Sequence, residues 1–143
     1  MGKVYAVIYP VPQRFVNRFF EGKTVFVKYL PRRTKKLEIG MRLLLYVSGG
    51  PKAIIGEAFI ETIEFMPLDE ALQRYSDKIF LMKEELLTYS HRFGNRELKD
   101  LLLLHLTNTL EYARPVAYHR PVTMAGLYVD RRGYTSIASK GRG

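Results

Sequence analysis

The chain has 143 residues, the length of one domain, and its 47% hydrophobic and 13% aromatic content is too high for a disordered segment. It contains no cysteine, which excludes a disulfide scaffold, cysteine-ligated zinc, iron–sulfur clusters and thiol catalysis, and which fits a reducing cytoplasm. Its 23 Lys and Arg against 14 Asp and Glu give a net charge of +9, unevenly spread: residues 57–100 hold ten acids and six bases, the remainder four acids and seventeen bases, so −4 is set against +13.

Residues 3–9 (KVYAVIY) are β-branched and aromatic and predict a strand, ended by Pro10 and Pro12. The stretch is too short for a secretory signal, and no apolar run approaches the ~20 residues needed to span a bilayer, so a soluble, unprocessed, cytoplasmic domain without membrane contact is expected. In residues 13–20, Phe15, Val16, Phe19 and Phe20 share one face of a short helix, stopped at Glu21-Gly22. Residues 24–29 predict a strand with Val25, Val27 and Tyr29 on one face and Thr24, Phe26 and Lys28 on the other. A basic loop follows, carrying Arg32, Arg33, Lys35 and Lys36. Residues 41–48 alternate poorly, as a strand buried on both faces does. A turn at Gly49-Gly50-Pro51 leads into a long strand over 53–65, in which Gly56 marks a bulge or a close contact.

The acidic middle predicts three helices. The first covers 68–75, with Leu68, Leu72 and Tyr75 inward; the second covers 78–89, with Ile79, Met82, Leu86 and Tyr89 on one side. The third is capped by Asn95, has Glu97 in its first turn, and runs through Leu98, Leu101, Leu102 and His105. Strands are expected at 112–119, 126–129 and 134–138, and residues 139–143 are expected to fray. Helices inserted among short strands, rather than alternating with them, argue for a single α+β domain over residues 1–143, built as a small mixed barrel with a helical insert at about 67–107.

Three stretches carry a family resemblance. The segment from Phe19 to Lys28 (FFEGKTVFVK), the segment from Leu37 to Tyr46 (LEIGMRLLLY) and Ile54-Ile55-Gly56-Glu57-Ala58 resemble the successive motifs of the ASCH families in the PUA-like superfamily. The first strand sits where that fold begins, and the whole chain also resembles a small archaeal family of unknown function near this superfamily. The resemblance implies a PUA-like pseudobarrel and, as in several of its branches, a cleft that binds RNA or a modified nucleobase. The ASCH pattern is altered here: Phe26 stands at its Glu place and Lys28 at its Arg place. Some bacterial relatives hydrolyse acetylated cytidine with a Lys and a Thr of this motif plus a Glu. Their nucleophilic Thr falls at Phe26, which cannot attack a carbonyl, although Lys23 and Thr24 remain.

These features nominate an RNA or nucleotide-like ligand. Lys28, Arg32, Arg33, Lys35 and Lys36 are five bases in nine residues, suited to tracking phosphates, or else a solvated loop. Lys23, Phe26 and Lys28 belong to the implied cleft, where Phe26 is either a stacking platform or core. Tyr46 and Ser48 lead into a glycine-rich turn whose N–H groups suit an anion, or which is simply a turn. Arg114, His119 and Arg120, followed by Arg131 and Arg132, interleave with Tyr118 and Tyr134 as phosphate and stacking contacts, or as ordinary barrel lining. The alternative from another class is a small hydrolase of a modified nucleoside using Lys23, Thr24 and Glu57. A third is an interaction module whose helices bind a protein. His91, His105 and His119 lack any ligand spacing, so no metal and no cofactor are expected.

Overall fold

A computed structural model describes residues 3–29, 36–49, 52–92 and 100–143, the side chains of 89–92 excepted. Strand β1 (Val4–Pro12) leads into α1 (Gln13–Val16) and a 3-10 turn (Asn17–Glu21), then β2 (Val25–Lys28), β3 (Arg42–Ser48) and β4 (Ala53–Met66). Helices α2 (Leu68–Tyr75) and α3 (Lys83–Arg92) precede β5 (Leu101–Ala117), β6 (Leu127–Asp130) and α4 (Arg131–Arg142). The six strands form one sheet in the order β2-β5-β4-β3-β1-β6, with β1 and β3 parallel and the other pairs antiparallel. The architecture is the expected α+β, but the sheet is open, with β2 and β6 at its edges.

Alternation in the central strands sorts the core into two layers. Val7, Tyr9, Leu43 and Leu45 join the larger cluster with Phe15 and Phe19 of the first helical segment, Leu68 and Ala71 of α2, and Leu86 of α3. Ala6, Ile8, Leu44 and Tyr46 face the other way and pack with Tyr134, Ile137 and Ala138 of α4. Each face of the sheet is thus sealed by its own helices. β3, sandwiched between them, is buried from Leu43 to Val47, which is why it does not alternate.

β1 runs through both prolines, pairing Pro10 with Tyr46 and Pro12 with Ser48. This is tolerated because β6 pairs with β1 only as far as Ile8, so no neighbour awaits an N–H from either proline on that side. Gly22 closes the 3-10 turn at φ 101°, as the stop at Glu21-Gly22 predicted. At Gly56 the β4–β5 register shifts, and a Cβ there would stand 2.7 Å from the Leu110 carbonyl oxygen and 2.7 Å from the Phe20 ring.

Four further expectations are corrected. Leu101, Leu102 and His105 are strand, not helix: β5 lies between β2 and β4, and Leu101–Leu104 are fully buried, so a continuous leucine run serves a strand covered on both faces. The helical insert therefore ends before β5, and the expected cap at Asn95 and Glu97 lies outside the described residues. His105 instead sets its Nε2 2.6 Å from Glu64, whose same oxygen accepts the Tyr75 hydroxyl at 2.7 Å, pinning α2 to the sheet. Residues 134–138 are helix, not strand: Tyr134, Ile137, Ala138 and Gly141 are buried at the helical period, and Asp130 caps the start by accepting the Gly133 N–H at 2.8 Å. The last residues do not fray; through Arg142 they form the end of α4. The second helix begins at Lys83, because 78–80 bridges to β2: Val25 N–H donates to Lys78 O at 3.0 Å and Phe80 N–H to Val25 O at 3.1 Å.

Candidate functional site

Lysine in a strand core is costly unless its charge is answered. Lys28, the last residue of β2, is only 2% exposed. Its Nζ stands 4.5 Å over the Tyr9 ring and donates to the Met124 carbonyl, and no carboxylate pairs with it among the described residues. Burial alone pulls its pKa down from 10.5 to about 8, so at neutral pH it is a cation held in an apolar setting.

A cavity of about 680 Å³ opens beside it. Pro10 and Pro12 from β1, Phe15 and Arg18 from the first helical segment, Phe26 from β2 and Phe80 before α3 form its wall, and Ser48 and Met124 complete the rim. The rings are tightly ordered: Phe26 stacks on Phe80 at 5.3 Å and on Tyr9 at 5.4 Å, and Phe19 stacks on Phe80 at 4.9 Å. Arg18 grips Glu85 with two bonds of 2.6 and 3.1 Å and donates to Phe80 O at 2.9 Å, fixing α3 against the 3-10 turn. That guanidinium holds the Glu85 carboxyl below its usual range. With Arg14, Arg18 and Lys28 against Glu84 and Glu85, the lining keeps one positive charge in excess.

Of the residues that sequence nominated, the structure gathers Phe26, Lys28 and Ser48 at this cavity. Phe26 is 2% exposed, so it is a wall of the core whose edge reaches the cavity rather than an open platform. Lys23 is nearby in sequence but turns away to donate to Asp77 O at 2.7 Å, and Thr24 uses its carbonyl to accept the Leu106 N–H at 2.8 Å. Glu57 lies on the opposite face of the sheet, bonded to Tyr112, Tyr134 and Arg142, so Lys23, Thr24 and Glu57 do not assemble. Tyr46 is buried in that same opposite layer. Arg114 is exposed on β5, His119 and Arg120 are exposed after it, and none of them lines the cavity. Arg131 and Arg132 are exposed in the first turn of α4. Lys36 stands 5.4 Å over the Tyr128 ring, whereas Arg32, Arg33 and Lys35 lie outside the described residues.

Sequence reasoning missed Arg18, Phe80 and Met124. The Arg18–Glu85 and Lys28–Met124 contacts join residues 67 and 96 positions apart, which no local pattern encodes. The apolar triplet Ile79-Phe80-Leu81, out of step with the helix that follows, was the one local signal for Phe80. Among the described residues no three metal-ligating side chains cluster, and no helix is long and apolar enough to cross a membrane.

A family model described as a domain of unknown function (DUF365) matches residues 4–131. Uncharacterized protein MJECS03 of Methanocaldococcus jannaschii is 30% identical over 108 residues, 70% of this chain and 99% of that protein. Among solved structures, ASCH from Zymomonas mobilis superposes with a TM-score of 0.74 at 18% identity, covering 94% of this chain and 94% of that one. The N-terminal domain of Staphylothermus marinus McrB gives 0.66 at 15% identity, over 99% and 96%. These neighbours bear out the ASCH, PUA-like fold that the N-terminal motifs implied.

Proposed function

The chain belongs to the DUF365 family and has the ASCH fold, and from that premise we propose that it is an RNA-binding domain that takes one unpaired nucleobase into the Lys28 cavity. The observation that carries this reading is the buried ammonium of Lys28, facing an aromatic-walled space of about 680 Å³ with no carboxylate paired to it among the described residues. A nucleobase suits such a space: its flat faces match rings and prolines, and its carbonyl oxygens accept from an ammonium. Phosphates suit the cavity poorly, because Glu84 and Glu85 share it, so the backbone would run outside. The basic residues Arg32, Arg33, Lys35 and Lys36 supply sequence-independent attraction to that backbone.

The test is a titration of the full chain with short unstructured RNA and with free nucleosides, for wild type and Lys28→Met. The variant keeps the stem and loses the donor, so both ligands should bind at least tenfold more weakly. Unchanged nucleoside binding in a folded Lys28→Met protein would remove the cavity from the reading. The same titration with acetylated cytidine, followed for acetate release, tests the hydrolase alternative.

A further inference from the structure

On the opposite face, the seam between α4 and the sheet gathers arginines around one acid. Glu57 is 4% exposed, and its Oε2 accepts from Arg142 at 3.0 Å and from the Tyr134 hydroxyl at 2.6 Å, with the Arg42 Nε at 4.0 Å; its Oε1 accepts the Tyr112 hydroxyl at 2.8 Å. Two guanidiniums from β3 and α4 are therefore held together by a single carboxylate, and one positive charge is left over. A cavity of about 360 Å³ opens directly above, and its lining contains no acid: Tyr5, Arg42, Arg131, Tyr134, Thr135 and Arg142 are among its walls. Arg131, at the start of α4, pairs with no carboxylate among the described residues; its guanidinium stands 6.0 Å over the Tyr5 ring, and Arg42 stands 5.8 Å over the same ring. The Tyr5 and Tyr134 rings meet at 5.0 Å and floor the space.

We propose that this cavity is a phosphate-binding site, in which Arg42, Arg131 and Arg142 hold the phosphate of a nucleotide or of an RNA strand. Three points support it. The guanidiniums arrive from three places in the chain, on β3 and at both ends of α4, so their convergence comes from folding and not from a run of charge. Glu57 commits its oxygens to Arg142 and two tyrosines, which orients that arginine without cancelling the group. The Thr135 hydroxyl on the exposed side of α4 offers a further donor to a phosphate oxygen, whereas the Ser139 hydroxyl is spent on Ser136 O at 3.1 Å. The site does not depend on the Lys28 reading, since it lies across the sheet from that cavity.

The test uses the full chain and two probes, each with and without the phosphate: adenosine 5′-monophosphate against adenosine, and a 5′-phosphorylated hexaribonucleotide against its 5′-hydroxyl form. Arg131→Gln and Arg42→Gln are the variants; Arg131 is exposed on the first turn of α4, so its change leaves the fold intact, as circular dichroism will verify. The phosphate should strengthen binding of at least one probe, and either variant should remove at least tenfold of it while Lys28→Met does not. A gain confined to the monophosphate assigns the site to free nucleotides, and a gain with the hexamer assigns it to RNA ends. Loss of hexamer affinity in the variants irrespective of its 5′ group assigns it to internal phosphodiesters. If neither probe gains from its phosphate and both variants bind every ligand as wild type does, the proposal is overturned. Loss of nucleoside binding in Lys28→Met alone bears only on the other cavity.

Discussion

Lys28 holds its position at a cost in stability. Its pKa of about 8 means that the folded chain gives up this proton at lower pH than the unfolded chain, whose lysines keep theirs to 10.5. Below about pH 8 both states are protonated and the full burial cost is borne; between about 8 and 10.5 the folded state binds fewer protons, so unfolding becomes harder as pH rises. Lys28→Met should therefore be the more stable protein at pH 7, by up to about 3 kcal/mol, and the gap should close as pH approaches 10. Urea titrations of both proteins at several pH values read this directly, and a constant difference would contradict it. Phe26 offers the complementary measurement: packed among Tyr9, Phe19 and Phe80, its change to Ala should cost ~3–5 kcal/mol. A melting temperature close to wild type would show that the ring is not core.

At the scale of elements, α4 is the most exacting piece. Asp130→Ala removes its N-cap and should cost about 1 kcal/mol. Gly141→Ala should cost more, because a Cβ there would collide with the Tyr112 ring and push its hydroxyl off Glu57. Thermal melts of the two variants check the order, and equal losses would mean that Tyr112 yields freely. How much of the chain was readable from sequence also separates by element. β3, β4, α2 and the stop at Gly22 were legible because each is specified by its own residues: apolar runs, a bulge glycine, a turn glycine. β5 and α4 were not. Leu101–Leu104 satisfies either a buried strand or a helix, and only the neighbours β2 and β4 decide for strand. In α4 the pattern Tyr134, Ile137, Ala138, Gly141 and the cap Asp130 were present in the sequence, but Tyr134 and Ile137 favour strands locally and drew the reading away. Of the candidate site, the ASCH-like motif pointed to Phe26 and Lys28, while Arg18 and Phe80 were hidden because only tertiary contact makes them neighbours.

Among the described residues, α2 on one face of the sheet carries Asp69 and Glu70, and α4 on the other carries Arg131, Arg132, Lys140 and Arg142. RNA affinity should fall steeply with salt, and changing Arg32, Arg33, Lys35 and Lys36 together to Ser should lower it alike for all sequences and flatten that slope. Filter binding at two or more salt concentrations measures both, and a loss that depended on RNA sequence would mean that the loop reads bases. The strand order has one more consequence, in time rather than in space. β2 is made early, yet its ladder partner is β5, with Val25 opposite His105 and Lys28 opposite Leu102. Such distant pairing is slow to form, since a long loop must close before any contact compensates for it. On a ribosome, β1, β3 and β4 can pair while β2 waits, and the residue that most defines the cavity has no place to go until β5 has emerged. The Lys28 cavity is therefore among the last features to come into being, and a nascent chain could not engage the proposed nucleobase there before its leucine strand arrives.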